Sequence, residues 1–361
     1  LPLLTGVELV LPAIGHADTM LRRYRSRGAD PPFGDPRRAH GVAMEGYFWR
    51  FSDVRTGRVI VALCGVCRAP DEPSVPAVPS VPSVPAVAAG PADAWATVAL
   101  AAHPGGFLRR ADLPRAGDDR AALGVWARGE TGSLSGDAGR LTVDLGPDAR
   151  LDVRLAAPWP ARRALLGGSG AAQLIPGLGQ YWHPYLFAAA VSGFAVIGGE
   201  TIDLTGWQAY AEKNWSPHAS GFPTHWWWGQ AHGFDRADVA VAFAGGELTV
   251  GPVRMTASGV VVALDGRLIR LGNPVLAPAR VLADGRTWTV RARGPLWSVQ
   301  LDGTARPGDA HVLPVPVVAQ RRSVLTAHEH LAARIELVVR RRGRVVYAGA
   351  SELAGLELGP Q

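Results

Sequence analysis

Lysine is almost absent from this chain: of 37 basic residues, Lys213 is the only lysine, and asparagine is nearly as scarce. The bias runs through the whole sequence, so an arginine at any one surface position carries little information. A lysine or asparagine that survives it carries more. Cysteine is confined to Cys64 and Cys67, a lone CxxC in the strand-like run "RVIVALCGVCR". On a strand, residues i and i+3 face opposite sides, and no second ligand pair exists, which argues against a metal or redox role. No apolar run approaches the roughly 18 residues that a membrane-crossing helix needs. The N-terminal "LPLLTGVELVLPAIG" is apolar but has neither the basic segment nor the cleavage site of a signal peptide, so the expected location is cytoplasmic. Also missing are GxSxG, HExxH, a P-loop and a strand-to-helix GxGxxG, which removes hydrolase, metalloprotease, kinase and dehydrogenase readings. No cofactor and no metal are expected; His328 and His330 in the helix-like "TAHEHLAAR" lack a third ligand.

What is present reads as all-β. Apolar residues make up 47% and charged residues 19%, enough to bury a sizeable core, and Gly (44) and Pro (29) punctuate short Val/Ile/Leu/Thr runs. Strand candidates recur every 8 to 12 residues from "AMEGYFWRFSDVRTGRVIVALCGVCR", a hairpin turning at Arg55 to Gly57, to the run 344–350. This rhythm predicts a closed barrel or sandwich, and 361 residues leave room for two, with a boundary near 197 (1–197 and 198–361). Residues 158–185 admit a short helix. The Pro-Val-Ser-Ala tract at 70–91 cannot pair in a ladder and reads as a surface insertion. The net charge of +6 is spread over scattered arginine pairs, which favours a solvated surface, then a peripheral membrane contact, over nucleic acid.

The densest chemistry lies in "YAEKNWSPHASGFPTHWWWGQAHGF", residues 210–234. Read as strands, period two puts Trp226, Trp228, Gln230, His232 and Phe234 on one face. It also puts Tyr210, Glu212 and Asn214 together, with Lys213 and Trp215 opposite. A buried Glu or Lys needs a partner, so Glu212 and Lys213, facing opposite ways, each require one from elsewhere. Glu45, Tyr47, Trp49 and Phe51 form a similar face on the hairpin, and "GQYWHP" contributes His183. An aromatic cavity with a few polar groups suits a prenyl, terpenoid or polyketide substrate. Aromatic faces stabilise a carbocation, and a desolvated carboxylic acid can protonate an alkene. Core packing of the tryptophans and a structural ion-pair network are the competing readings.

The same segment resembles the Y-x-E-K-N-W-G…F-P…W-x-W-x-Q signature of the tocopherol cyclase family. "EGYFWRFSDVRTGRVIVALCGV", "GQYWHP" and the terminal "SELAGLELG" are similar to other segments of that family. Ser216-Pro217 and His232 depart from its pattern. The resemblance implies tandem lipocalin-like β domains with a hydrophobic cavity, related in architecture to carotenoid 1,2-hydratases and pericyclic cyclases. It also implies cofactor-free protonation of a prenyl alkene and capture of the cation by a phenol oxygen.

The expectation that follows is a bacterial cyclase or isomerase acting on a lipophilic prenylated aromatic or terpenoid. Glu212 or Glu45 is the proton donor, and His183, His232 and Tyr210 relay protons or orient hydroxyls. Trp215, Trp226, Trp228, Gln230, Trp49, Tyr47 and Phe234 bind substrate, and Lys213 and Asn214 order the site. A hydratase using the same cation, and a lipid-binding protein without chemistry, are the alternatives. Oligomeric state is open.

Overall fold

The computed structural model describes residues 23–30, 35–68, 94–118, 123–156, 167–218, 222–223, 225–250, 253–272 and 277–359. The 70–91 tract and the apolar N-terminus lie outside the described residues. Two antiparallel sheets account for nearly all of the regular structure. The first holds β1 (Met44–Asp53), β2 (Arg58–Cys67), β3 (Trp95–His103), β4 (Phe107–Leu113), β5 (Arg115–Asp118), β6 (Gly124–Gly129), β7 (Gly132–Asp137), β8 (Arg140–Asp144), β9 (Ala149–Leu155), β10 (Tyr181–Ile197), β11 (Glu200–Asp203) and β12 (Gln208–Ser216). Its order is β4-β3-β2-β1-β12-β10-β9-β8-β7-β6-β5, with β11 on β10. The second holds β13 (Trp226–Ala231), β14 (Ala240–Val250), β15 (Val253–Leu264), β16 (Arg267–Leu271), β17 (Ala279–Ala283), β18 (Thr287–Arg293), β19 (Trp297–Thr304), β20 (Ala310–Val317), β21 (Arg322–Arg341) and β22 (Arg344–Leu358). Its order is β16-β15-β14-β13-β22-β21-β19-β18-β17, with β20 on β21.

Each sheet curls until its ends meet. The Ala116 N–H in β5 donates to the Ala94 carbonyl ahead of β3 (3.0 Å), and Gly272, just past β16, donates to Ala277, just ahead of β17 (2.7 Å). The inward residues of the first sheet, among them Trp49, Phe51, Leu100 and Leu151, pack into one core; Trp288, Leu301, Leu337 and Leu356 belong to the core of the second. Alternating strands with one apolar face produce such filled interiors, each fully buried Val, Leu or Phe contributing about 1.5–3 kcal/mol. The outer faces then meet each other: Trp182, Phe187 and Tyr210 pack against Trp228, Ala240 and Val261, and Val59, Val61 and Ala101 against Leu313, Ala327 and Leu331.

The hairpin β1–β2 turns as expected, with Gly57 at φ 75° closing it. Other readings need correction. The first sheet continues to Ser216, because β12 returns to pair with both β1 and β10, so the division between sheets falls after Ser216 and not near 197. "TAHEHLAAR" is part of the long strand β21, not a helix, since its even spacing of apolar positions serves the sheet. The short helix is one 3₁₀ segment, Gly170–Leu174. β4, β5 and β7 were not anticipated; they are short and rich in Arg, Gly and Ser, with little alternation to read.

Lys213 closes one end of the first barrel. Its ammonium meets three acceptors at once: Glu45 Oε2 (2.7 Å), the Arg38 carbonyl (2.7 Å) and His40 Nδ1 (3.0 Å). His40 Nδ1 therefore accepts, leaving Nε2–H to donate to Asp30 (2.8 Å). Burial and the Lys213 charge push the His40 pKa down to about 4, so the ring is neutral. Glu45 also takes the His40 and Gly41 N–H groups (3.1 and 2.9 Å) and Arg68 (3.0 Å). The Lys213 and Arg68 charges hold its carboxyl well below the usual glutamate range despite complete burial. Trp215 stacks on His40 at 4.2 Å and donates its indole N–H to the Gly28 carbonyl (2.8 Å). Three donors in a tetrahedral head match this cluster, whereas the planar fork of arginine does not.

Removing either partner of a buried pair strands the other charge. Lys213→Met is expected to lower stability by about 3–5 kcal/mol in urea unfolding, Lys213→Arg to lower it as well, and Lys213→Met with Glu45→Gln to recover part of the loss. Because the Glu45 pKa is depressed on folding, its contribution is present above the ordinary glutamate pKa and is lost as pH falls through the lower, folded-state value.

Candidate active site

Between the two barrels lies a cavity of about 770 Å³, lined from both sheets. Its wall is mostly aromatic and small: Phe48, Trp182, Trp226, Trp227 and Trp228 stand among glycines of β1, β2, β14 and β15. Exposed Ile175 and Met255 border it and mark its opening. The size suits a drug-sized or prenyl-bearing molecule. Three of the indoles lie flat against glycine backbone where no Cβ would fit: Trp182 on Gly168, Trp228 on Gly355 and Trp226 on Gly359. Asn214 lies in the same way over Gly46, its cross-strand neighbour, and accepts from Gln180 (3.2 Å).

Glu212 reaches this cavity because period two on β12 turns it away from the barrel interior that Lys213 faces. Three donors converge on one of its oxygens, Oε2: Trp182 Nε1 (2.7 Å) from β10, Trp228 Nε1 (2.8 Å) from β13 and the Tyr210 hydroxyl (2.5 Å) from β12. Oε1 has no such clamp. Burial raises the Glu212 pKa, and the three hydrogen bonds oppose that rise.

A second carboxyl, Glu357, lines the same cavity from β22. The Trp226 indole donates to its Oε1. Burial, then the charge of Glu212, push its pKa up to about 7. Directly across the ladder from Glu357 stands Glu329 in β21. Glu329 is fully buried, neither of its oxygens has a hydrogen-bond partner, and burial beside Glu357 and Glu212 holds its pKa well above the ordinary value. The nearby cation is Arg50, which donates to Ser52 (2.7 Å), Gln230 (3.5 Å) and the Leu331 carbonyl (2.5 Å). Sequence reasoning passed over all three. Glu329 sat in a run read as helical, Glu357 in a terminal segment used only for its family likeness, and Arg50 among many arginines.

The other expected site residues divide. Trp226, Trp228, Glu212 and Asn214 meet at the cavity, with Tyr210 behind Glu212. Tyr47 borders it, but its hydroxyl reaches toward Glu45 (3.5 Å) and its ring stacks with Trp49. Glu45 is not at the cavity: it faces the barrel end, ion-paired, where it has no proton to give. Trp215 packs there with it from β12, and Trp49 lies inside the first core, because the β1 face that carries Glu45 and Trp49 points inward. Phe234 belongs to the second core, since β13 ends at Ala231 and Gly233 (φ 74°) turns the chain. Gln230 and His232 are buried beside Arg50, not on the cavity wall. Gln230 Nε2 donates to His232 Nδ1 (2.9 Å), and burial with the Arg50 charge pushes the His232 pKa to about 3. His183, on the face opposite Trp182, is likewise pushed by burial to about 3. Both imidazoles are therefore neutral and hold no acidic proton near neutrality. Cys64 and Cys67 are free thiols, and burial pushes both pKa values up.

Two outcomes follow for stability. Glu212→Ala leaves two indole N–H groups and a phenol without their acceptor and is expected to cost about 1–3 kcal/mol per stranded donor, less whatever water restores, whereas Glu212→Gln keeps an acceptor and costs much less. Denaturant unfolding of both variants separates the two cases. For Glu357, with a folded pKa above the unfolded one, the stabilising contribution is present below the ordinary glutamate pKa and is lost as pH rises through about 7. Thermal unfolding should accordingly show Glu357→Gln gaining on the wild-type chain across that interval.

Among the described residues, no helix is long and apolar enough to cross a membrane, and no three His, Cys, Asp or Glu side chains gather as a metal site. A comparison with curated proteins returns no match. Among solved structures, kievitone hydratase from Nectria haematococca superposes with a TM-score of 0.51 at 10% identity, covering 93% of this chain and 92% of that one. An AttH-type protein from Nitrosomonas europaea gives a TM-score of 0.47 at 14% identity, over 92% of this chain and 97% of that one. At that identity the hydratase likeness shows the fold alone. The family model described as tocopherol cyclase-like matches residues 176–360, a span that takes in β10, β12 with Glu212, β13 with its tryptophans and β22 with Glu357. More than half of the sequence, including most of the cavity's polar groups, is thus accounted for by one family, and the chain belongs to the tocopherol cyclase-like family.

Proposed function

We propose that the chain is an enzyme that cyclises a prenylated aromatic or related terpenoid substrate by protonating an alkene and capturing the resulting cation with a substrate oxygen. The observation that carries this reading is Glu212: a buried carboxyl on a cavity wall rich in aromatic side chains, with two indole N–H groups and a phenol gathered on a single oxygen. Protonation of a trisubstituted alkene places positive charge on a tertiary carbon, and the indole faces around the cavity can stabilise it through their quadrupoles. The low-dielectric wall lengthens the reach of the Glu212 charge toward that cation. Tyr210, Trp182 and Trp228 act as positioning residues that hold the carboxyl in one orientation.

A carrier protein with no chemistry is disfavoured, because a cavity evolved only to hold a lipid has no use for buried carboxyls, which cost stability. A hydratase remains the second reading. The opening at Ile175 and Met255 gives water a route to the cation, and water would then replace the substrate oxygen as nucleophile.

The test is incubation of the purified chain with a prenylated hydroquinone in deuterated water, followed by mass spectrometry. Cyclisation places one deuterium at carbon in exchange for the proton lost from the capturing oxygen, with no other change in formula; hydration adds the mass of water as well. Glu212→Gln should lower turnover by at least about 10²-fold, the usual scale for a positioned acid or base. Full activity in Glu212→Gln would remove Glu212 from the reaction.

A further inference from the structure

Acid-initiated cyclisation uses a proton twice: one is given to carbon, and one is released from the oxygen that captures the cation. The cavity holds two carboxyls that differ in their surroundings in the way these two tasks require. On Glu212, three donors on Oε2 favour the ionised form. On Glu357, a single indole donates, and the neighbours are carboxyls: Glu212 from β12 and Glu329 across the ladder. Arg50 bears on Glu329, and Arg270 stands on the cavity wall from β16. The two indoles that hold these carboxyls, Trp226 and Trp228, project from the same face of β13 one pleat repeat apart, a separation of about 7 Å. Neighbouring indoles of one strand thus hold the two carboxyls on the same cavity.

We propose that the two carboxyls divide the proton traffic, Glu357 protonating the alkene and Glu212, as carboxylate, taking the proton from the capturing oxygen. The assignment rests on the cyclisation reading. In the first step the Glu357 O–H bond breaks and the alkene π pair forms the new C–H bond, leaving a carbocation and an ionised Glu357. An oxygen lone pair of the substrate then forms the C–O bond, and its O–H proton passes to Glu212. When product leaves, that proton returns from Glu212 to Glu357 through solvent at the cavity opening, so the cycle consumes nothing. Burial beside Glu212 pushes the Glu357 pKa to about 7, which keeps a large share of it protonated at neutral pH. Glu329, held neutral by burial and then by Glu357 and Glu212, adds no charge to the site.

The protonation states can be read without any substrate by infrared difference spectroscopy of the full chain across its acid–base titration. The expected result is a buried carboxylic-acid band titrating near pH 7 in the wild-type chain that is missing in Glu357→Gln and retained in Glu212→Gln, where its titration shifts downward because the Glu212 charge is gone. Trp226→Phe, which removes the indole donor from Glu357, should move that titration upward, and it serves as the second variant if Glu357→Gln does not fold. A band that vanishes in Glu212→Gln and persists in Glu357→Gln would reverse the roles and overturn the proposal. With a prenylated hydroquinone in deuterated water, Glu212→Gln should place deuterium in uncyclised or hydrated substrate, and Glu357→Gln should place none. Wild-type failure on that substrate counts against the cyclisation reading, while the infrared titration still decides which carboxyl holds the proton.

Discussion

Everything at the cavity depends on the alternation of β12. Lys213 and Glu212 are neighbours in sequence, yet the pleat sends one into the end of the first barrel and the other into the space between barrels. The inward charge is neutralised at once by Glu45 on the adjacent strand, with the Arg38 carbonyl and His40 completing its shell. That pair fixes the register of β1 on β12, because a slip of one residue would bury Glu212 in the barrel and turn Lys213 toward the cavity. The outward carboxyl has one donor on its own strand, Tyr210, and needs the rest from elsewhere. It finds them on β10 and on β13 of the other barrel.

The position of the cavity follows from how the two barrels fill themselves. Among the described residues, both interiors are packed with apolar side chains. Space arises where two curved outer surfaces meet and cannot touch everywhere. The chain keeps it open with large flat indoles laid against glycine, an arrangement that thins one wall while stiffening the other. Since those indoles also donate to the carboxyls, the same residues shape the cavity and set its electrostatics. Carboxyls so enclosed cannot all ionise, and the division of charge among Glu212, Glu357 and Glu329 follows from how many donors each one has.

Much of this was legible in the amino-acid sequence, for identifiable reasons. The strand rhythm exposed the all-β class, and the pleat placed Glu212 and Lys213 on opposite faces without any structure. The rarity of lysine marked Lys213 as demanding a compact cation, which its three acceptors explain. Trp226 and Trp228 were correctly placed on one face. Equal-looking faces were misread: Glu45, Tyr47, Trp49 and Phe51 share a face as expected, but nothing in a strand says whether that face looks into its own barrel or out of it. His183 and His232 drew attention as titratable groups, and only their burial reveals them as neutral.

Periodicity, composition and a rare residue thus determined the class of fold, the faces of each strand and the charge that had to be paired. Tertiary structure alone decided which faces meet. Glu357 and Glu329 are more than a hundred residues from Glu212 in sequence and become its neighbours only because β22 lies between β13 and β21 in the second sheet. Pairing between distant strands is set by the summed packing of two barrels, a quantity no local pattern contains, and it is this pairing that brought Glu212 and Glu357 to one cavity with Glu329 beside them.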